Sequence, residues 1–200
     1  MSFRDIRLRS ERLELRLPTR DELVELFRVA DSGIHPPEFM PFAFAWTDDL
    51  DLDRFLEFHE TQLRESTAEE WTLNFVTFFE GAPIGSQTLA AEAFPQTRGV
   101  HSGSWLGAAW QRLGLGTEMR AAVLDLAFRG LGAETADSGY VPGNDASRRV
   151  SEKLGYRVTG ESTVAPRGEP VQHVLMRIER ADWRGYAVEI SGLELRDFGL

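Results

Sequence analysis

The chain has 200 residues, of which 42% are hydrophobic and 27% charged, a composition typical of a folded globular domain. Its 22 Lys and Arg against 32 Asp and Glu give a formal net charge of −10, which disfavours a nucleic acid or an anionic membrane surface as the main partner. The lack of cysteine excludes disulfides, thiolate nucleophiles and cysteine-based zinc sites.

The ends and the apolar stretches of the sequence bear on where the protein works. No apolar stretch is long enough to span a bilayer, and the N-terminus alternates charged with apolar residues, unlike a signal peptide. We therefore expect a cytoplasmic protein with no membrane partner and one domain over residues 1–200.

The first third of the chain predicts a strand and two helices separated by an apolar loop. Alternation from Arg12 to Leu17 (RLELRL) is typical of a half-buried strand. Thr19 and Glu22 have the spacing of a capping box at a helix start, and the stretch from Asp51 to Arg64 has one apolar helical face. Three prolines exclude a helix from Ser32 to Trp46, whose large apolar side chains must pack against something.

From residue 71 the hydrophobic period changes to two. Residues 71–79 and 84–94 predict a β-hairpin, and residues 100–107 a third strand. The later elements are predicted as a helix over 115–131, a strand over 133–140, a helix over 144–154, and strands over 156–160 and 171–178. The order βααβββαβαββ predicts an α+β (mixed α/β) domain with a largely antiparallel sheet flanked by helices.

The C-terminal tail, residues 187–200, is predicted as a strand-like extension. Its polar and apolar residues alternate, as in a strand that is able to pair with a partner chain. A homodimer is therefore one expectation from the sequence.

The clearest chemical signal is the stretch from Gln111 to Thr117 (QRLGLGT), between an apolar strand and a long helix. Unpaired N–H groups and the helix dipole at such a helix start favour an anion, and a phosphate is the natural one. Gly114 and Gly116 remove Cβ atoms that would keep a pyrophosphate away from these donors. The same glycines also suit a plain strand-to-helix turn.

Two other classes of nucleotide-binding loop do not fit this stretch. A dinucleotide fingerprint needs glycine where Met119 stands, and a Walker loop needs a lysine before Thr117.

A second segment, residues 143–156 (GNDASRRVSEKLGY), strengthens the phosphate interpretation. Asn144 and Ser147 place two hydrogen-bonding side chains at the start of a short helix, although alone they would be an ordinary cap.

Together these segments resemble the GNAT superfamily of acyl-CoA N-acyltransferases, more closely its RimJ/RimL-type branch. The stretch from Gln111 to Gly116 matches the Q/R-x-x-G-x-G/A loop of that branch. Asn144 to Ser147 (NDAS) and Lys153 to Tyr156 (KLGY) match its N-x-x-S and K-L-G-F/Y segments, and Arg12 to Arg16 is similar to its opening strand. The resemblance covers nearly the whole chain.

The resemblance implies a sheet splayed between the strand ending at Gly107 and the strand ending near Tyr140, with acyl-CoA in the V-shaped gap. A primary amine would attack the thioester directly in a ternary complex, with no metal. Asn144 would contact the pantetheine arm, and Ser147 would lie near the thioester sulfur. The residues that the resemblance assigns to CoA are Trp105, Leu106, Gly107, Gln111, Arg112, Leu113, Gly114, Leu115, Gly116, Thr117, Asn144 and Ser147.

The sequence departs from the family at both proton-handling positions. Ser151 stands where many members have a tyrosine general acid. A serine is a poor proton donor beside a phenol, and departure of the stable CoA thiolate without an acid is one alternative, with Ser147 as an aid to that departure the other. In place of a strand glutamate the chain has His101, Ser102 and Ser104. His101 has a suitable ordinary pKa for a general base, although a solvated histidine at a strand end is the alternative.

In this branch the proline-rich loop helps to wall the acceptor site, and packing into the core is the alternative. His59, on the apolar face of the second helix, is predicted to be packed core. The predicted acceptor-binding residues are His35, Phe39, Met40, Phe42 and Trp46.

We expect acetyl-CoA as the donor, with succinyl-CoA as the alternative. A succinyl carboxylate would need a cation, for which Arg98, His101 and Arg167 are candidates. The acceptor amine would belong to a small molecule or a protein N-terminus. Two other classes stay open: a non-catalytic acyl-CoA-binding regulatory module and a purely structural domain.

Overall fold

The computed structural model of the chain describes residues 3–200. Within that range nine strands form one open sheet, and five α-helices lie on its faces. The strands are β1 (Arg7–Arg9), β2 (Leu13–Arg16), β3 (Trp71–Phe79), β4 (Ala82–Ala91), β5 (Gly99–Leu106), β6 (Thr135–Tyr140), β7 (Arg157–Val164), β8 (Val171–Glu179) and β9 (Glu189–Ser191). The helices are α1 (Arg20–Asp31), α2 (Leu52–Glu65), α3 (Phe94–Thr97), α4 (Leu115–Asp125) and α5 (Asp145–Leu154).

The strand order is β7-β8-β6-β5-β4-β3-β2-β1-β9. The β5–β6 pair is parallel, and the other strand pairings described are antiparallel. The predicted fold class, a single mixed α+β domain with a mostly antiparallel sheet, is confirmed.

Two hydrophobic clusters hold the helices on opposite faces of the sheet. Helices α1 and α2 pack on β3 and β4, where Leu26 and Phe55 join the buried Val76 of β3. On the other face α4 is buried on nearly all sides, and its Met119 and Val123 belong to the main core. A helix buried all round lies at the centre of the molecule, so α4 is placed to support the middle strands.

Helix α1 begins as its sequence predicts. The Thr19 side chain accepts a hydrogen bond from the Glu22 amide, and the Glu22 carboxylate accepts one from the Thr19 amide. The Arg16 guanidinium also binds Glu22 through two hydrogen bonds and lowers the pKa of that carboxyl to about 2. This link fixes the start of α1 to β2.

The structure corrects the predicted elements at several points. Strand β1 has no counterpart in the predicted order, β7 is longer than predicted, and the predicted helix over 115–131 is α4 continued by a π-helical turn over Leu126–Gly130. The tail strand does not need a partner chain, because β9 pairs with β1 of the same chain. Leu8 lies opposite Ile190 in that pairing.

Candidate active site

The two central strands separate and leave a split in the sheet. Strands β5 and β6 pair at three positions, from Gly99 with Thr135 to His101 with Asp137. Beyond that point Ser102–Leu106 stays paired with β4 alone, and the end of β6 with β8 alone. The splayed sheet that the resemblance implies is therefore present.

Side chains rather than backbone pairs close the narrow end of the split. The Ser138 hydroxyl donates to the Ser102 carbonyl at 3.2 Å, and the Ser102 hydroxyl donates to the Asp137 carbonyl at 3.4 Å. Because the Ser102 carbonyl faces the split, strand alternation turns the backbone groups of Ser104 and Leu106 toward the split as well. These are the groups of β5 that can pair with an extended ligand.

The start of α4 lies at the open end of the split. Gly114 is its N-cap with φ +81°, and no side chain caps the helix. The amides of Leu115 and Gly116, at the first two helical positions, have no intrahelical acceptor and remain available to an anion. Gly116 does not need a positive φ, and a Cβ there would point between Leu106 and Val150, toward the split.

Two of the predicted CoA residues have their polar groups engaged within the protein. The Gly107 amide donates to Ile84 and its carbonyl accepts from Trp110, so this glycine serves packing. A Cβ there would lie 2.6 Å from a Val29 carbon. The Gln111 side chain donates to the Ile34 and Leu106 carbonyls, so it positions the loop.

The remaining residues of the loop differ in what they offer a ligand. Leu115 is buried in the core and Leu113 is 54% exposed, while Thr117 is half-buried. Arg112 is exposed with φ +64°, a conformation rare for a residue other than glycine. The loop therefore offers a ligand mainly backbone amides, with Arg112 as its cation.

Helix α5 places Asn144 and Ser147 near the rim of the split. Asn144 is the N-cap of α5, accepting a hydrogen bond from the Ser147 amide, and its side-chain nitrogen lies 3.4 Å from the Pro41 carbonyl. The Ser147 hydroxyl is half-buried and makes no hydrogen bond with the described residues. The cap expected for Asn144 alone is thus present, and Ser147 keeps a free hydroxyl.

The proline-rich loop packs beside β5, on the α1–α2 face of the sheet. Trp46 lies 5.5 Å from Trp105 and 5.3 Å from Phe42, measured between ring centroids. His35 bonds to Thr47, and Met40 is buried, so both support the loop from within. Phe39 lies against Gly143, where a Cβ would be 3.0 Å from its ring.

His101 lies at the narrow end of the split, on the same face as Trp105. Its side chain is exposed and makes no hydrogen bond with the described residues. It stands four residues before Trp105, about 13 Å along the strand at 3.3 Å per residue. His59 is buried, with its ring centroid 4.6 Å from that of Phe55, so its predicted place in the core is confirmed.

His173 lies on the same face of the sheet as His101 and Trp105, and the sequence alone did not single it out. It lies on β8 directly over Gly139 of β6, where a Cβ would be 2.6 Å from its Nε2. Burial lowers the pKa of His173, which keeps the imidazole neutral. Strand alternation in VQHVLMRI was a usable signal, because it separates His173 from the core positions Val174 and Met176.

The two arginines predicted for an acyl carboxylate are engaged elsewhere. Arg98 lies over the Phe94 ring and precedes β5, at the end away from the open split. Arg167 makes two 2.7 Å hydrogen bonds to Asp48, which raises the pKa of the guanidinium. A different arginine, Arg120 of α4, is buried beneath the split and bonds to Ser104, Ser138 and Ser151.

A parallel strand pair that splits, with an uncapped, glycine-led helix at its open end, leaves room for an extended ligand between two strands and offers free amides to an anion. The model of the acetyltransferase (GNAT) domain matches residues 12–157, and the chain belongs to this family.

Solved structures share this fold at low sequence identity. RimJ of Mycobacterium smegmatis in complex with CoA-disulfide is 19% identical with a TM-score of 0.74, over 92% of each chain. RimL, a ribosomal L7/L12 alpha-N-protein acetyltransferase in complex with coenzyme A, is 13% identical with a TM-score of 0.71, over 85% of this chain and 95% of that one. MccE, a microcin C7 self-immunity acetyltransferase in complex with acetyl-CoA and AMP, also has 13% identity and a TM-score of 0.71, over 85% and 93%.

Two absences within residues 3–200 concern membranes and metals. No helix among them is long and apolar enough to cross a bilayer. No group of three or more potential metal ligands comes together within that range.

Proposed function

We propose that this protein transfers an acetyl group from acetyl-CoA to a primary amine. The observation that carries the proposal is the split between β5 and β6 with the uncapped start of α4 at its open end. The pyrophosphate would bind the amides of Leu115 and Gly116. The pantetheine arm would run into the split along the backbone groups of Ser104 and the amide of Leu106, whose carbonyl already accepts from Gln111.

The amine would reach the thioester from the face lined by Trp46 and Trp105. Its nitrogen would bond to the acyl carbon as the C–S bond breaks, and the sulfur would leave as thiolate. The formal net charge of −10 of the chain suits a cationic amine. Acceptors of this kind include small amines and protein N-termini.

Calorimetry with CoA tests the binding part of the proposal. In Gly116→Val the added Cβ makes ordinary contacts, 3.6 Å from Leu106 and 3.8 Å from Val150, and its methyl groups add bulk beside the split. We expect CoA affinity to fall at least about tenfold, or 1.4 kcal/mol. Gly160→Val, at a half-buried strand position where nothing lies within 4 Å of an added Cβ, is the matched control and should bind CoA like the wild type. Equal affinity in all three proteins would rule out this site.

Turnover separates an enzyme from a binding module. The chain has no cysteine, so a thiol reagent reports only the CoA released from acetyl-CoA in a screen of amines. CoA binding with no release for any amine would favour the regulatory module. Faster turnover with succinyl-CoA would overturn acetyl-CoA as the donor.

A further inference from the structure

Three charged residues of α4 are buried, and one differs from the other two. Glu118 pairs with Arg12, and Asp125 pairs with Arg129. Arg120 is 3% exposed and has no carboxylate partner among the described residues. Burying an unpaired cation is costly, so a cation kept in this state points to a negative charge that arrives with a ligand.

Serine hydroxyls surround the Arg120 guanidinium on the α4 face of the split. Its Nη1 donates to Ser138 at 3.2 Å and to Ser151 at 2.9 Å, and its Nη2 donates to Ser104 at 2.9 Å. The proton of Ser138 is used on the Ser102 carbonyl. Ser104 and Ser151 donate to no described group, so both hydroxyls keep a proton that the adjacent cation polarises.

The position of this cluster along the split decides which negative charge it meets. The pyrophosphate of CoA would lie at the open end of the split, so its thioester would point toward the narrow end. There Ser104 of β5 lies on one side of the split and Ser138 of β6 on the other. Arg120 lies one and a half helical turns beyond Leu115, about 8 Å along α4. Ser151 stands at the position where many family members have a tyrosine acid.

We propose that Arg120 is a positioning residue that supplies the positive charge stabilising the departing CoA thiolate, acting through the hydroxyls of Ser104 and Ser151. The inference rests on the acyl-transfer function proposed above. The amine nitrogen bonds to the acyl carbon, the C–S bond breaks, and sulfur keeps the electron pair while the amine proton passes to the neutral imidazole of His173 or to water. A buried cation stabilises that charge more than an exposed one, because the surroundings screen it less.

The other titratable groups around the cluster do not supply this charge. Tyr156 lies 3.2 Å from the Ser102 hydroxyl, and burial raises the pKa of its phenol, so it stays neutral. Burial lowers the pKa of Arg120 itself. Asp137 on β6 is engaged by Arg177, and Glu118 by Arg12.

The test is the pKa of the CoA thiol in its complex with the protein. Because the chain has no cysteine, the ultraviolet absorbance of thiolate reports CoA alone, and desulfo-CoA provides the blank. We expect wild-type protein to lower the pKa of the bound thiol by about one unit, a tenfold shift toward thiolate. Arg120→Gln should return it to the value of free CoA, Arg120→Lys should keep much of the shift, and Ser104→Ala should reduce it.

Arg120→Gln needs a folding control because the residue is buried. Thermal unfolding and the affinity for desulfo-CoA show whether Arg120→Gln is folded. Ser104→Ala changes only a half-buried side chain, so it tests the proposal without altering the buried arginine. Bound CoA with an unshifted thiol pKa would overturn this inference and leave the acyl-transfer function standing. No binding of CoA or desulfo-CoA by the wild type would overturn that function as well.

A second outcome would overturn the inference in another way. If Arg120→Gln lowered kcat/KM only for acyl-CoA with a terminal carboxylate, with the thiol pKa unchanged, the cation would bind the acyl group. Activity with acetyl-CoA and succinyl-CoA, measured on the same variants, distinguishes the two.

Discussion

Ser147 has a hydroxyl free for a ligand on the first turn of α5. If it lies near the thioester sulfur, its hydrogen bond strengthens as charge develops there, so its loss should affect turnover more than binding. We expect Ser147→Ala to lower kcat about tenfold, or 1.4 kcal/mol, with CoA affinity almost unchanged. The exposed Ser191→Ala on β9 is the control. Unchanged turnover in Ser147→Ala would leave the residue a structural part of the helix start.

Two histidines, His101 and His173, lie on the face of the sheet that carries Trp105, and they differ in their distance from the open end of the split. The sequence predicts His101 as the base, whereas His173 lies over Gly139 near the open end. We expect His173→Gln to lower kcat/KM about a hundredfold and His101→Gln to change it little. Burial lowers the pKa of His173, so the wild-type activity that needs neutral His173 should be lost only below the ordinary histidine value near 6.5. The opposite ranking of the two variants would restore His101 as the base.

Helix α2 carries a histidine whose burial links stability to pH. Desolvation lowers the pKa of His59 from 6.5 to about 4, and its Nδ1 has no hydrogen-bond partner. As the pH falls, the unfolded chain therefore protonates His59 at a higher pH than the folded chain does. The stability contribution is complete above pH 6.5 and is lost as pH falls toward 4, by about 3 kcal/mol at most.

Urea unfolding at pH 7 and pH 4.5 measures this contribution. We expect His59→Leu to lose less unfolding free energy between the two pH values than the wild type, by about 2 kcal/mol. His101→Gln removes an exposed histidine and should behave like the wild type. An equal loss in His59→Leu and wild type would contradict the assignment.

Elements with strong internal periodicity could be predicted from sequence, and those formed by tertiary pairing could not. Helix α1 and the β3–β4 hairpin carry their own caps, turns and alternation. Strand β1 has three residues and is held by its pairing with β2 on one side and with β9 of the tail, whose alternation was visible in the sequence, on the other. No local pattern of that length indicates a strand.

The candidate site divides in a similar way. The loop from Gln111 to Thr117 has a compact motif that is visible in the sequence and lies at the open end of the split, and its role in binding CoA stays a prediction. Arg120 became significant only when the fold brought it to Ser104 and Ser151, which lie 16 and 31 positions away in sequence. A buried cation without a carboxylate is a property of the packed molecule, and a sequence window cannot show it.

At the scale of the whole molecule, the tail completes the fold. Phe198 is fully buried, with ring centroids 5.1 Å from Phe3 and 5.2 Å from Trp71. Strand β9 extends the sheet beside β1. The tail therefore belongs to the core of its own chain, so disturbing it should lower stability and leave the oligomeric state unchanged.

Phe198→Ala tests this role of the tail. Truncating a buried phenylalanine removes apolar contact and leaves a cavity, so we expect a loss of about 3 to 5 kcal/mol of unfolding free energy. Leu195→Ala, at a position 46% exposed in the same segment, should cost less than about 1 kcal/mol. Urea unfolding gives both values, and light scattering at matched concentrations gives the mass. Dissociation of a dimer by Phe198→Ala, without loss of unfolding free energy, would instead mean that the tail packs against a partner chain.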